Sequence, residues 1–226
     1  MNLKTTLKNC KRAMIYLVYR DNAYQNYWKF KKRDSIENYL IDMQSPHRIW
    51  LTNFFNHANS ILEVGCDWGG NLILMSKQEK CKFYGIDISP ESIELGSKYC
   101  LEQGINNIQL KEGSAENLSL FSDASIDIVF SDMLFLYIGP TKIEKVIKEF
   151  LRTANKSVYL LEFHSEKIRR KHKNSEDGWI YNYKKVLEPI VGSAALSLIK
   201  LPDQIHPVGR WKEFATLIKI EKSKLK

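Results

Sequence analysis

The sequence is poor in the features that mark disulfide-stabilised, metal-binding or membrane-spanning proteins. Four cysteines occur among its 226 residues, at Cys10, Cys66, Cys81 and Cys100. They form no C-x-x-C pair and no other spacing of metal ligands, so we predict reduced thiols and no metal centre. No apolar run approaches the ~20 residues that a membrane-spanning helix needs. These absences favour a cytoplasmic globular protein, and the 44% of hydrophobic and 27% of charged residues fit that class.

We also expect no cleavable leader. Basic residues precede the apolar stretch Ala13–Tyr19, as in a secretory signal peptide. However, Arg20 and Asp21 follow that stretch directly, without a small-residue cleavage site. The first residues are therefore expected to belong to the folded protein.

The net charge of +8 is unevenly distributed along the chain. Residues 1–33 hold nine lysines and arginines and one acid, whereas residues 34–226 hold 25 basic and 25 acidic residues. The main part of the protein therefore lacks the bulk positive charge of a nucleic-acid binder. Any role of the excess charge belongs to the N-terminal segment.

That segment, residues 1–45, is predicted to form a helical cap on the rest of the chain. Apolar residues at steps of three and four alternate with basic ones, as in a basic amphipathic helix. They are Leu3, Leu7, Cys10, Met14 and Leu17. The helix either packs on the core and covers a ligand site, or attracts an anionic membrane surface, a phosphorylated substrate or nucleic acid. The aromatic residues Tyr24, Tyr27, Trp28 and Phe30 face a substrate or pack in the interior.

From Ser60 onward, strand patterns alternate with helix patterns. The predicted strands are Ser60–Val64, Lys82–Ile86, Ile108–Glu112, Ile126–Ser131 and Ser157–Glu162. The predicted helices are Pro46–His57, Gly70–Gln78, Pro90–Gln103, a segment opened by Gly139-Pro140-Thr141, and Tyr183–Ile190. This alternation predicts a mostly parallel sheet with helices on both faces. Two final apolar runs, Ala195–Leu201 and Glu213–Ile220, have too short a connection for a crossover helix and should pair antiparallel.

A glycine-rich turn follows the first predicted strand. Residues 61–70 read ILEVGCDWGG, an apolar strand that ends in a tight turn directly before a helix. Proteins of the α/β class build ligand sites in this way at the carboxyl end of a strand. Glu63 is unusual, because a carboxylate in a buried strand needs a partner such as a ligand cation. Asp67 stands where a third glycine is expected and adds a second carboxylate.

Asp87 ends the second predicted strand, 22 residues after Gly65. A carboxylate at this position and spacing binds the ribose hydroxyls of a nucleoside ligand. The alternative is a structural role near the N-terminus of the helix that begins after Ser89. Because Glu63 and Asp67 would repel a pyrophosphate, a cationic cofactor fits this turn better than a dinucleotide.

Several motifs together indicate a family. The segments ILEVGCDWGG, GIDISPESIELG and EGSAENLSLFSDASIDIVFSD, with the terminal strand pair, resemble a class I (Rossmann-like) S-adenosylmethionine-dependent methyltransferase. They are most similar to the small-molecule "methyltransferase domain" (type 11-like) branch. The resemblance covers about Trp50–Lys222 and implies a doubly wound, seven-stranded α/β sheet with one antiparallel strand near the C-terminus. It assigns residues 46–226 to the methyltransferase domain, with 168–190 as a substrate-pocket insertion.

The resemblance implies S-adenosylmethionine as the cofactor and S-adenosylhomocysteine as its product. It implies that Glu63 orients the methionine ammonium, Asp87 binds the ribose hydroxyls, and Ser114 and Ala115 touch the adenine. The chain departs from the family pattern at Asp67, where the family has glycine, and at Ser114, where many relatives have aspartate. The implied cofactor residues are Glu63, Gly65, Cys66, Asp67, Gly69, Asn71, Leu72, Asp87, Ile88, Ser114, Ala115, Glu116, Ser131, Asp132 and Met133.

A general base is needed only if the methyl acceptor loses a proton as it attacks. His164 follows the fifth predicted strand and is the first candidate, because histidine titrates near neutral pH. Asp132 and Tyr137 after the fourth strand, and His206 in the last connection, are the others. For His164 the alternative is an ordinary surface histidine at the start of a basic run.

The expected reaction is methyl transfer to a small molecule, such as a sugar, a nucleotide-linked sugar or another biosynthetic intermediate. The basic run 167–173 and the aromatic residues Trp179, Tyr181 and Tyr183 suit an anionic or glycosylated acceptor or single-stranded nucleic acid. One alternative is an RNA methyltransferase that uses the basic N-terminal arm, although no N-P-P-Y or D-P-P-Y pattern follows the fourth strand. Another is a regulatory protein that binds S-adenosylmethionine without catalysis.

Overall fold

A computed structural model describes residues 23–31, 35–55, 57–78, 80–167 and 178–225 of the protein. The amphipathic helix predicted over the first 17 residues and most of the basic run 167–173 lie outside these ranges. Within them, no helix has both the length and the apolar character needed to cross a membrane.

A seven-stranded sheet forms the centre of the protein. Its strands are β1 (Ser60–Val64), β2 (Lys82–Asp87), β3 (Ile108–Glu112), β4 (Ile126–Asp132), β5 (Ala154–Phe163), β6 (Leu196–Lys200) and β7 (Ala215–Glu221). The strand order is β3-β2-β1-β4-β5-β7-β6. Strand β7 runs antiparallel to both of its neighbours, and the other pairs are parallel. This arrangement confirms the predicted α/β fold with one antiparallel strand near the C-terminus.

Helices cover the sheet, and local sequence explains where they begin and end. They are α1 (23–30), α2 (Ile36–Met43), α3 (Pro46–Thr52), α4 (Gly70–Met75), α5 (Pro90–Glu102), α6 (Ile143–Thr153), α7 (Tyr183–Val191) and α8 (Gly209–Phe214). In α5, Ser89 caps the N-terminus by accepting a hydrogen bond from the Ser92 amide at 3.2 Å, and Pro90 occupies the first turn. Gly104, with φ of 67°, follows its end.

Three helices differ from the sequence-based expectation. Helix α4 ends at Met75 instead of Gln78. Helix α3 ends at Thr52 and continues as a 3-10 turn over Asn53–Phe55, instead of reaching His57 as an α-helix. The connection between β6 and β7, for which the sequence predicted no helix, contains α8. A helix of this length spans only about 9 Å, so it does not carry the chain across the sheet. The predicted antiparallel pairing of β6 with β7 is therefore still observed.

The sheet is buried on both faces, because successive side chains of a strand point to opposite sides. In β5, Val158 and Leu160 pack in one apolar cluster, and Tyr159 and Leu161 pack in another. The two clusters lie under the helices of the two faces. Long apolar strands of this kind are typical of parallel sheets between helical layers.

The strand order reverses at β1, whose neighbours are β2 and β4. At such a switch point the connections leave on opposite sides, and a crevice opens at the carboxyl ends of the strands. The register places Glu63 of β1 opposite Gly85 on one side and Phe130 on the other. The residues that follow these three strands therefore meet in one crevice.

Helix α5 packs tightly against the turn that follows β1. A Cβ atom at Gly96 would overlap the backbone carbonyl oxygen of Trp68. Because a backbone oxygen cannot move aside as a flexible side chain can, the contact fixes the distance between the turn and α5.

We expect Gly96→Ala to lower the free energy of unfolding by about 2–3 kcal/mol, since the new methyl group must displace the turn. The matched control is Ser97→Ala, which places alanine at the next, exposed position of the same helix and should change stability by about 0.5 kcal/mol or less. Urea denaturation followed by circular dichroism measures both. Equal stabilities of the two variants would contradict the tight contact.

Candidate active site

The backbone of the turn after β1 lines the crevice. Three of its residues have left-handed backbone angles: Gly65 (φ 77°), Asp67 (φ 51°) and Gly69 (φ 89°). The amides of Gly65 and Cys66 both donate to the carbonyl oxygen of Ile86, at 2.7 and 3.1 Å. A Cβ atom at Gly65 would lie 2.9 Å from Cδ1 of Leu134, so this position requires glycine for space as well as for conformation.

Two backbone amides hold Asp87 in the crevice. Its Oδ2 accepts from the Asp67 amide and its Oδ1 from the Ser89 amide, each at 2.9 Å. A carboxylate oxygen can accept more than one hydrogen bond, so both oxygens can also bind ligand hydroxyls. The carboxylate of Asp67 is itself held by α5, because its Oδ1 accepts from Ser92 Oγ at 2.5 Å. Asp67 therefore supports the turn as well as lining the crevice.

A buried carboxyl cluster lies beneath the turn. Asn71 Nδ2 donates to Glu63 Oε1 at 2.7 Å and to Asp132 Oδ2 at 3.2 Å. Arg48 Nη1 lies 3.4 Å from the same Asp132 oxygen, and its Nη2 is 2.8 Å from Asp42 Oδ2. Burial raises the pKa of Glu63 to about 8, although the hydrogen bond from Asn71 and the charge of Arg48 oppose the rise. Glu63 is therefore mostly protonated at neutral pH.

Three oxygen atoms of this cluster are buried without a hydrogen-bond partner among the described residues. They are Glu63 Oε2, Asn71 Oδ1 and Asp132 Oδ1. Buried acceptors without donors are costly in free energy. A ligand that brings a positively charged N–H group to this cluster would stabilise the ionised form of Glu63, so the cluster fits the ammonium group of a cationic ligand.

A cavity of 240 Å³ lies over the turn and the cluster. The sequence-predicted residues that line it are Glu63, Gly65, Cys66, Asp67, Asp87, Ile88, Ser114, Ala115, Asp132, Met133 and Tyr137. Its other lining residues are Tyr24, Gln25, Trp28, Arg48, Trp68, Gly70, Ile86, Gly113, Leu134 and Ile138. The fold thus brings residues after β1, β2, β3 and β4 to one site, as the sequence predicted.

Seven predicted site residues lie outside the lining of this cavity. They are Gly69, Asn71, Leu72, Glu116, Ser131, His164 and His206. Gly69 precedes α4 in the turn, and Leu72 is buried in the apolar core. Asn71 supports the two carboxyl groups from outside the cavity. Ser131 Oγ donates to Oε1 of the buried Glu162 at 3.2 Å.

The candidate bases occupy different environments. His164 lies away from the cavity, and its Nδ1 accepts a hydrogen bond from the Tyr183 amide at 3.2 Å. Tyr137 lines the cavity, but burial raises its pKa to about 12, so the phenol is protonated at neutral pH. His206 contacts His47 outside the cavity lining. Among the four candidates, Asp132 combines a place in the cavity with an available carboxylate oxygen.

Helix α1 covers the cavity with aromatic side chains. The rings of Tyr24 and Trp28 pack edge-on against Tyr137, with centroids 5.8 and 4.8 Å apart. Tyr27 and Phe30 of the same helix are 44% and 75% exposed. Of the aromatic residues considered from the sequence, two thus face the ligand site and two face solvent.

A polar network fastens α1 to the segment after β3. Gln25 Nε2 donates to Glu116 Oε1 at 2.6 Å. Lys142 Nζ donates to Gln25 Oε1 at 2.9 Å and to Glu116 Oε1 at 2.8 Å. Glu116, predicted to contact the cofactor, therefore holds the helix that covers the site.

Sequence reasoning missed Arg48 and Trp68 as residues of the site. Arg48 is one of many basic residues, and only the packing of α3 shows that it reaches Asp132. Trp68 lies inside the glycine-rich turn, so its position in the sequence could have identified it as a residue of the site. Its ring is 2% exposed and packs against Tyr39 and Tyr99.

Comparison with known proteins gives independent information on this site. Residues 61–157 match the family model described as "Methyltransferase domain". The chain is 30% identical over 101 residues to the tRNA (guanine-N(7)-)-methyltransferase of Actinobacillus succinogenes, covering 44% of this chain and 40% of the relative. It is 25% identical over 174 residues to the ajmaline N-methyltransferase of Rauvolfia serpentina, covering 67% of this chain and 57% of the relative. The chain thus spans less than two thirds of the length of either relative.

The same fold occurs in a solved structure of geranyl diphosphate methyltransferase in complex with GPP and sinefungin. The TM-score is 0.71 at 12% sequence identity, over 90% of this chain and 99% of that chain. The fold and the motifs are similar to those of class I S-adenosylmethionine-dependent methyltransferases. The family match itself covers residues 61–157, which is less than half of the chain.

The cofactor of this class, S-adenosylmethionine, fits the residues that are present. It carries an ammonium group for the unpartnered oxygen of Glu63, whose carboxyl group Asn71 orients. Its ribose hydroxyls match the carboxylate of Asp87, which lines the cavity.

The raised pKa of Glu63 has a measurable effect on stability. Between about pH 4.5, near the ordinary pKa of a glutamate carboxyl group, and about pH 8 the folded protein binds a proton at Glu63 that the unfolded chain has released. The free energy of unfolding therefore falls as pH rises through this window, by at most about 1.4 kcal/mol per pH unit for one group.

We expect Glu63→Gln, which resembles the protonated side chain, to remove this contribution. The variant should match the wild type near pH 5 and be the more stable protein near pH 9. Thermal unfolding across this range provides the test, with exposed Glu91→Gln as the control that leaves the pH profile unchanged. If the wild type were more stable than Glu63→Gln at pH 9, the buried carboxylate would not be destabilising.

Proposed function

We propose that the protein transfers a methyl group from S-adenosylmethionine to a small-molecule acceptor, for which a sugar, a nucleotide-linked sugar or a similar biosynthetic intermediate is suited. The observation that carries this proposal is the set of three buried, unpartnered oxygens beside the glycine turn. Glu63 and Asp132, which line the cavity, suit a cationic ligand, and Asp87 stands where such a ligand would present ribose hydroxyls. The methyltransferase match over residues 61–157 supports the same reading.

The residues of the cavity have separable roles in this reaction. Glu63, oriented by Asn71, would hold the ammonium, Asp87 the ribose, and Ser114 with its neighbour the adenine. When bound, S-adenosylmethionine supplies an electrophilic methyl carbon attached to a positively charged sulfur. The protein contributes positioning, which can supply most of the rate enhancement of an in-line displacement.

The cover over the cavity favours a small acceptor. Tyr24 and Trp28 of α1 form part of the lining, and Gln25 fastens the helix across the site. A polynucleotide binds more readily in an open, basic groove. The described lining residues instead include four carboxyl groups and one guanidinium group, that of Arg48. This charge balance favours an uncharged reacting group inside the cavity, such as a sugar hydroxyl, over an anionic one.

Asp132 is the group best placed to receive a proton from such an acceptor. Its side chain is 4% exposed, and its Oδ2 is held by Arg48 and Asn71. The other oxygen, Oδ1, is unpartnered and available. A hydroxyl acceptor would transfer its proton to this oxygen as the new bond to carbon forms.

RNA methylation is a second candidate function with its own support. Residues 1–33 carry nine basic residues, and one relative is named a tRNA (guanine-N(7)-)-methyltransferase. In that case the N-terminal segment would bind the phosphate backbone and deliver a base to the cavity.

Binding of the cofactor is tested first, with Asp87. We expect Asp87→Ala to weaken S-adenosylmethionine binding by about 10- to 100-fold, because the ribose loses charge-assisted hydrogen bonds. Isothermal titration calorimetry measures the affinity, and circular dichroism checks folding. Asp87→Asn retains one acceptor and should show a smaller loss. Asp123→Ala, at a remote side chain that is 79% exposed, is the control, and an equal affinity in Asp87→Ala and this control would contradict the site.

The acceptor class is tested by product formation. The protein and S-adenosylmethionine are incubated with sugars and nucleotide-linked sugars in one series and with total RNA in the other, and S-adenosylhomocysteine is quantified. We expect release with the small molecules and none with RNA. Trp28→Ala, which removes part of the cover, should lower the rate, while Phe30→Ala, on the exposed side of the same helix, should not. Release with RNA alone would establish the second candidate instead.

A further inference from the structure

The chain makes a sharp corner at the end of β4, and this corner forms one wall of the cavity. Its residues are Asp132, Met133 and Leu134, and all three line the cavity. Met133 has φ of 57°, in the left-handed region, which is unfavourable for a residue with a side chain. Such a conformation persists only where the surrounding contacts enforce it. The contacts that hold this β4 corner (residues 132–134) therefore determine the shape of the wall.

Glu162, near the end of the neighbouring strand β5, binds the chain on both sides of the β4 corner. Its Oε1 accepts from the Ser131 hydroxyl at 3.2 Å and from the Phe135 amide at 2.9 Å. The Leu134 amide also donates to this carboxyl group. Because Ser131 and Phe135 flank the corner, one carboxyl oxygen joins its two ends.

The environment of Glu162 suits a fixed hydrogen-bond acceptor. The side chain is fully buried, and it is not among the residues that line the cavity. Burial raises its pKa to about 8, although the hydrogen bonds from Phe135 and Ser131 oppose the rise. The carboxyl group is therefore mostly neutral at pH 7 and needs no counter-ion inside the protein. Its Oε1 can accept hydrogen bonds in either protonation state.

The β4 corner lies between two other parts of the structure. On one side, Leu134 packs so closely on the glycine-rich turn that a Cβ atom at Gly65 would lie 2.9 Å from its Cδ1. Beyond the corner, the Tyr181 hydroxyl donates to the carbonyl oxygen of Ile138, another lining residue, at 2.6 Å. A displacement of the corner would therefore change both the width of the cavity and its contact with the turn.

We propose that Glu162 is a positioning residue, which holds the β4 corner in the conformation that binds S-adenosylmethionine. It acts through the three corner residues, since they line the cavity and Glu162 does not. Its hydrogen bonds thus support ligand binding in addition to the stability of the sheet. The inference rests on the proposed function, because it takes S-adenosylmethionine as the ligand of the cavity.

Hydrogen exchange tests the hold on the β4 corner without any ligand. Glu162→Leu keeps a side chain of similar size but removes the acceptor, so the amides of Leu134 and Phe135 should exchange about tenfold faster. Glu162→Gln retains a carbonyl oxygen and resembles the neutral carboxyl group, so its exchange should match that of the wild type. Mass spectrometry of peptides that contain residues 132–138 measures both variants.

Calorimetry with S-adenosylmethionine tests the effect on binding. We expect Glu162→Leu to weaken binding by about tenfold, since a misplaced wall lowers affinity even when every lining residue is present. Glu162→Gln should keep the wild-type affinity. Ser131→Ala removes one donor and leaves Glu162 in place, so it should weaken binding by about threefold. This milder variant provides the test if Glu162→Leu does not fold.

The matched control lies at the opposite end of β4. Asp127 is also a buried carboxylate, and its Oδ2 accepts from the Asn59 amide at 2.9 Å. Asp127→Ala should lower the thermal stability without changing the affinity for S-adenosylmethionine, because the cavity lies at the carboxyl ends of the strands.

Three results would overturn the inference and leave the proposed function intact. They are wild-type affinity in Glu162→Leu or, if that variant does not fold, in Ser131→Ala; unchanged exchange at the corner in the variant that is tested; and an equal loss of affinity in Asp127→Ala. Failure of the wild-type protein to bind S-adenosylmethionine would instead reject the proposed function, and this inference with it. The exchange measurement would still show whether Glu162 holds the corner.

Discussion

The carboxyl group of Glu63 lies in the central part of the sheet, shielded from water and hydrogen-bonded to Asn71. Strands β2 and β4 flank β1 on both sides, and Glu63 is 1% exposed. An ionised carboxylate in this position has a high free energy, which a cationic ligand lowers. The same strand pairing places Asp87 and Asp132 at the ends of the neighbouring strands. Folding of the sheet therefore buries a carboxyl group that a cationic ligand would stabilise, and it also positions the groups that would orient this ligand.

The sequence predicted the parts of the structure that depend on short-range patterns. The bounds of β1 and β3 agree with the prediction, and Ser89 with Pro90 marked the start of α5. Apolar alternation and helix caps are local signals, and parallel strands bring their carboxyl ends together as a rule of the fold. The side of the sheet on which Glu63 and Asp87 meet was therefore predictable.

The contacts that complete the site join residues that are far apart along the chain. No local sequence pattern predicts such contacts. Arg48 meets Asp132 across 84 positions, and Gln25 meets Glu116 across 91. His164 follows the correct strand, but the backbone beyond β5 turns its ring toward Tyr183. His206, considered as a base, instead contacts His47 across 159 positions. Sequence reasoning identified the edge of the sheet, and side-chain packing decided which groups face the cavity.

The cover formed by α1 controls the access of water to the carboxyl cluster. Tyr24 and Trp28 line the same cavity as Glu63, so opening of the helix would hydrate the buried acids. Hydration would return the pKa of Glu63 toward its ordinary value and leave the group ionised at neutral pH. An open site would therefore carry more negative charge than a closed one and attract a cation more strongly from a distance. Closure over the bound cation would then replace the lost water with fixed hydrogen bonds.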